Sequence, residues 1–222
     1  MLLDPTRTVA SLATALPHAL PVLERHRIDY CCGGNRSLDT ACRTAGLSID
    51  VLAAEIEAAV PAVDPEIDWT LRPLDQLIAH LEQRYHRPLD EALPRMAFLA
   101  RKVANVHGPK GGRFALEELA AEVEALVAEL VEHMRSEEDV VFPWIRGGRR
   151  ESAGASIRLL TEEHESVGAG LQRIRALADD FVVPEEACGS WRALWLGLAD
   201  LEQELHAHIH LENNVLFPRA LA

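Results

Sequence analysis

Two short stretches of this chain carry residue types that can do chemistry, and they carry them in the same spacing. Residues 133–143 and 208–218 align without a gap, 75 positions apart, and both read His-x3-Glu-x4-Phe-Pro. A separation of four puts an imidazole and a carboxylate one turn apart on one face of a helix. That face is the core seam. Ahead of His208 and Glu212 the apolar rhythm runs Trp191, Leu194, Leu198, Leu201, Leu205; ahead of His133 and Glu137 it runs Leu116, Leu119, Val123, Leu126, Leu130. Twice, then, the seam changes from leucine to histidine and glutamate. An unpaired carboxylate in a core faces a desolvation cost of several kcal/mol. A bound metal explains the doubled pair most economically; internal salt bridges are the plainer alternative.

The elements that must position these residues follow from the apolar periodicity. From Pro73 onward the pattern is helical, with no strand-like alternation. Four long amphipathic helices are expected, at about 73–106, 114–145, 156–181 and 190–216, joined by glycine- and proline-containing turns. Short connections make neighbours antiparallel, so the fold class is all-α, an up-down-up-down four-helix bundle. Residues equally far from a turn then share a level. On that basis His86, His133, Glu137, His164, His208 and Glu212 cluster, and His164 also sits on the seam of the third helix with Ile157, Leu160, Val167 and Leu171. Four imidazoles and two carboxylates exceed one tetrahedral zinc. They suit two octahedral-leaning ions with bridging carboxylates, iron or manganese rather than copper(I).

Other histidines fit less well. His107 lies 21 residues beyond His86, about 31 Å along a regular helix, and is expected outside the site unless Pro88 and Pro94 kink or break the first helix. His80, His206 and His210 are near the level but off the seam. Glu163, beside His164, is either a base behind the site or an ordinary surface carboxylate. Cys42 and Cys188 read as ordinary small residues.

Ahead of the bundle, residues 1–60 form a small helical domain, and the proline-flanked stretch 61–65 reads as a linker to residues 66–222. Within that domain Cys31, Cys32, Gly33 and Gly34 make a turn expected to be exposed, with Ser37 capping the next helix and Arg36 and the cap as candidates to activate the thiols. The composition agrees with a helical protein: 222 residues, 48% hydrophobic, only 5% aromatic. A net charge of −13 argues against nucleic acid and anionic membranes as partners. The start has no basic, apolar signal-peptide pattern and no apolar run reaches membrane length. Four cysteines in a chain this long do not make a disulfide framework, so a cytoplasmic home is expected.

The bundle resembles the hemerythrin-like domain, and the whole chain resembles the Repair of Iron Centres family (YtfE/ScdA type). The residues carrying this are Asp29 to Gly34, Arg84 to His86, Lys102 to His107, Glu163 with His164, and Leu211 to Leu221. The resemblance implies two iron ions in an oxo- or hydroxo-bridged centre, on His86, His133, Glu137, His164, His208 and Glu212. It implies restoration of iron–sulfur clusters damaged by nitric oxide or peroxide, with damaged iron–sulfur proteins as partners. Read from their own setting, Cys31, Cys32 and Glu163 are the catalytic candidates. Whether the protein is an enzyme in the strict sense is left open, and a homodimer is compatible with the pattern. The alternative is a hemerythrin-like carrier or sensor of dioxygen or nitric oxide. Carriers of that kind have five histidines rather than four and need no thiols. Pro88 is a departure, standing where the family pattern leads one to expect proline-free helix.

Overall fold

The computed structural model describes residues 3–59, 67–110 and 113–222. The linker expected at 61–65 lies outside the described residues. Every regular element among the described residues is helical, apart from one isolated bridge between Thr8 and Ser37. Packing divides the chain into two compact units: residues 1–77 together with 206–222, and residues 78–205.

In the first unit the N-terminal helices are α1 (Val9–Ala15), α2 (Leu20–Arg25), α3 (Leu38–Thr44) and α4 (Ile49–Ala58). Thr8, Ser37 and Ser48 cap α1, α3 and α4 by accepting the amide three residues on, which bears out Ser37 as a cap. Leu12, Leu23, Leu38, Leu52 and Ile56 are fully buried and form the small core, with Cys42 among the buried residues. This unit also contains the chain's last segment, where Arg219 donates to the carbonyls of Trp69 and Arg72.

Most of the four-helix bundle lies in the second unit. Its first long helix is α5 (Leu74–Leu81), a π-turn at Glu82–His86 and α6 (Arg87–His107). The second is α7 (Leu116–Ser136), a π-turn at Glu137–Val141 and α8 (Phe142–Arg146); the third is α9 (Arg150–Leu177). The fourth is α10 (Gly189–Leu211), which continues through a π-turn at Glu212–Leu216 into α11 (Phe217–Leu221). Arg146, ending the second long helix, reaches Glu82 in the first. Arg101, late in the first, reaches Glu117 and Glu124 early in the second. Those contacts make the pair antiparallel. Arg173 of α9 pairs with Glu122 of α7, Arg175 of α9 with Glu202 of α10, and Arg84 with Glu204, so each helix touches two others. Leu93, Val123, Leu160, Leu194 and Trp195 are essentially buried between them.

The prolines behave differently from the sequence expectation. α6 continues through Pro94 without a break, because that proline and Asp90, whose carbonyl it leaves unbonded, are both exposed to water. Pro88, Pro143 and Pro218 each stand two residues past the end of a π-turn. In each turn the following amide (Arg87, Phe142, Phe217) reaches back five residues, to Glu82, Glu137 and Glu212 respectively. The wider ring moves aside the carbonyl a proline would strike in a regular helix. Pro88 is therefore the third use of one device.

α9 begins at Arg150 rather than near 156 and ends at Leu177. A left-handed turn stops it, with φ of 50°, 56° and 60° at Asp179, Asp180 and Phe181. Arg175 steadies that turn by lying over the Phe181 ring.

Candidate metal centre

The π-turns bear directly on the site, because His86 ends the first and Glu137 begins the second. π-turns are frequent at functional positions. Within residues 78–205, His86, His133, Glu137 and His164 are all buried. His133, Glu137 and His164 each place a ligand atom within 4.8 Å of the others, and His86 does the same with Glu137. The Nε2 atoms of His133 and His164 are 2.9 Å apart. Glu137 Oε1 is 3.4 Å from His133 Nε2, and Oε2 is 3.5 Å from His86 Nε2.

The far nitrogens of two of these rings are held from behind. Glu163 Oε2 lies 2.7 Å from His133 Nδ1, and Glu138 Oε1 lies 2.8 Å from His86 Nδ1. An ionised carboxylate only accepts, so each Nδ1 is placed to donate to it, which leaves each Nε2 as the atom available to a metal. Burial works to raise the Glu138 carboxyl, but hydrogen bonds from His86 and Arg87 outweigh it and hold the group below the usual range. The His86 ring is further fixed by stacking on Phe142, with centroids 5.7 Å apart. Glu163 is thus a partner of an imidazole and not an idle surface carboxylate.

In the unit of residues 1–77 and 206–222, His208 and Glu212 are buried, with His208 Nε2 3.0 Å from Glu212 Oε1. A second polar stripe at spacing four runs beside them. His206 Nδ1 lies 2.8 Å from Glu24, which also accepts from the Tyr30 hydroxyl. His210 is buried and lies 3.2 Å from the Tyr30 carbonyl, to which Asn214 also donates. Burial lowers the pKa of His210 to about 4. Asn213, directly after Glu212, donates to the Cys31 carbonyl at 3.5 Å. The cysteine turn is thereby pinned to the helical segment that carries His208 and Glu212. The repeat of His206, His210 and Asn214 at every fourth residue was a visible signal for this; the off-seam reading of His206 and His210 missed the N-terminal residues that cover them.

The turn itself is organised by Asp29, whose carboxylate accepts from the amides of Cys31, Cys32 and Gly33 at 3.0, 3.0 and 2.8 Å. Cys31 is buried rather than exposed, and Cys32 is partly covered. Their sulfurs are 3.6 Å apart. The hydrogen bond to Cys32, burial and the nearby Asp29 charge together push the Cys31 thiol well above its ordinary range. The expected activation by a cation is therefore not what surrounds Cys31. The glycines serve close approach and not a left-handed backbone: a Cβ on Gly34 would lie 2.6 Å from the Tyr30 carbonyl oxygen.

His107 ends α6, in contact with Cys188 and Trp191. With α6 unbroken, it stands about 31 Å along the helix from His86. His80 packs edge-on to Tyr85.

Residues 52–220 match the Hemerythrin HHE cation binding domain, and residues 5–60 match ScdA_N, a domain of unknown function. Iron-sulfur cluster repair protein YtfE of Yersinia pseudotuberculosis serotype IB (strain PB1/+) is 39% identical over 220 residues, covering 97% of this chain and 96% of that one. YtfE of Yersinia pestis (strain Pestoides F) matches with the same identity and coverage. The chain belongs to the Repair of Iron Centres family.

The donors of this Repair of Iron Centres protein fit a cation of the iron type. Both oxygens of Glu137 are buried and accept no hydrogen bond among the described residues. A carboxylate so placed requires a positive partner, and nitrogen and carboxylate donors without thiolate favour iron over softer metals. No described helix is long and apolar enough to cross a membrane.

Proposed function

We propose that this protein restores iron–sulfur clusters damaged by nitrosative or oxidative stress, using a di-iron store as its source of iron. His86, His133, His164 and His208, with the carboxylates of Glu137 and Glu212, would hold the two ions of an oxo- or hydroxo-bridged centre. The iron is cargo. Imidazole and carboxylate bind ferrous iron less tenaciously than thiolates do, so the cysteines of a damaged cluster site can draw it away. Glu138 and Glu163 keep the His86 and His133 rings in position as the ion comes and goes. Cys32, less covered than Cys31, is the sulfur that meets the leaving iron or a nitrosyl group first. The domains divide near residue 60, with the short stretch 61–65 as linker. Four free thiols suit a reducing, cytoplasmic setting.

One observation carries this reading: the cysteine turn is bonded through Asn213, Asn214 and His210 to the segment bearing His208 and Glu212. A dioxygen carrier has no use for a dithiol fastened beside its ligands. The test is anaerobic addition of the iron-loaded protein to a nitric-oxide-treated iron–sulfur protein. Cluster absorbance should return with the parent chain and not with Glu137→Ala. Equal recovery with both would refute the proposal.

A further inference from the structure

We propose that Cys188 is a reactive thiol, assisted by His107, that undergoes exchange with small-molecule disulfides at the end of the bundle remote from the His/Glu cluster. Of the four cysteines it alone is exposed. Its carbonyl accepts the amide of Arg192 at 2.9 Å, closing the first turn of α10, so Cys188 is the N-cap of a 23-residue helix. An anionic sulfur there lies at the positive end of the helix dipole. His107 Nε2 is 3.3 Å from the sulfur, placed to take the thiol proton and then to donate a hydrogen bond to the thiolate.

The imidazole is held in place. Its ring lies against buried Trp191, with centroids 4.8 Å apart, and Trp191 packs edge-on to Phe114 at 5.6 Å. A Cβ on the next residue, Gly189, would meet nothing within 4 Å, which leaves room for an incoming disulfide. The nearby acidic residues Glu185 and Glu186 are exposed, where water and salt screen them. Neither His107 nor Cys188 belongs to the metal or repair machinery proposed above, so this inference stands or falls separately.

The step balances. The Cys188 thiolate attacks one sulfur of the disulfide, a new S–S bond forms, and the old one breaks. The departing thiolate takes the proton that His107 removed from Cys188. The product is a mixed disulfide, reversed by excess thiol.

The test uses the full-length, iron-loaded protein with oxidised glutathione, following each cysteine by peptide mass spectrometry. With His107 placed to take the thiol proton, Cys188 should react at least about threefold faster in the native chain than in the same chain unfolded in urea. His107→Gln, with helix content and iron unchanged, should remove that advantage, and Cys188→Ser should remove the fastest-labelled site while leaving labelling of Cys32 unchanged. A native rate no faster than the unfolded one, or a folded His107→Gln variant that reacts like the parent, would overturn the proposal.

Discussion

His133 Nε2 and His164 Nε2, from neighbouring helices of the bundle, are buried and lie 2.9 Å apart. Two donors at about 2.1 Å from one ion, at right angles, would lie about 3.0 Å apart. The pair thus has the spacing of adjacent ligands, with Glu137 Oε1 3.4 Å from one of them.

If the carboxylates bridge, removing either should cost both ions. Glu137→Ala or Glu212→Ala should drop iron from about two per chain to below about one, by inductively coupled plasma analysis. His107→Ala should keep the parent value. Full retention in both glutamate variants would end the bridging assignment.

The carboxylates behind the imidazoles should matter nearly as much as the ligands. Glu163→Gln and Glu138→Gln should each weaken iron binding about 10–100-fold, measured by competition with a chelator. Helix content should be unchanged in both. An affinity equal to the parent's would show that packing alone orients the rings.

A chain trimmed to residues 66–222 should keep its helices, because the core of residues 78–205 is internal to that unit. Yet it loses Glu24, Tyr30 and the Cys31 carbonyl, the partners of His206, His210 and Asn213. Iron should still bind, but about tenfold more weakly, in line with lost partners around a site. Parent-like affinity would show the N-terminal residues to be dispensable to the site.

At the cysteine turn the expectations concern pH and repair. The folded chain holds the Cys31 proton more tightly than the unfolded one. Its contribution to stability is therefore complete below the ordinary thiol value of 9.0 and fades as pH rises through the higher folded value. Alkylation at pH 8 should mark Cys32 ahead of Cys31. The double change Cys31→Ser, Cys32→Ser should leave iron content intact and slow cluster repair about tenfold or more. Repair at the parent's rate would make the cysteines structural.

Much of this was legible in the sequence for a definite reason. His133, Glu137, His164, His208 and Glu212 interrupt apolar seams, and a seam residue cannot be polar without a partner. The four long helices followed from the same periodicity. The π-turns were not legible, since a pattern built on 3.6 residues per turn has no slot for an extra residue; Pro88 looked like a defect for that reason. Glu138 was hidden because its partners, His86 and Arg87, come from another helix. The burial of Cys31 and His210 depends on contacts between residues some 180 positions apart, which no local pattern encodes.

The central claim is that the iron of this protein becomes the iron of the repaired cluster. The most direct measurement loads the chain with 57Fe, mixes it with a nitric-oxide-damaged cluster protein of natural isotopic composition, and records the Mössbauer spectrum of the reisolated recipient. The account predicts a 57Fe cluster signal that grows as the donor loses its iron. A restored cluster without 57Fe, with the donor still fully loaded, would contradict it.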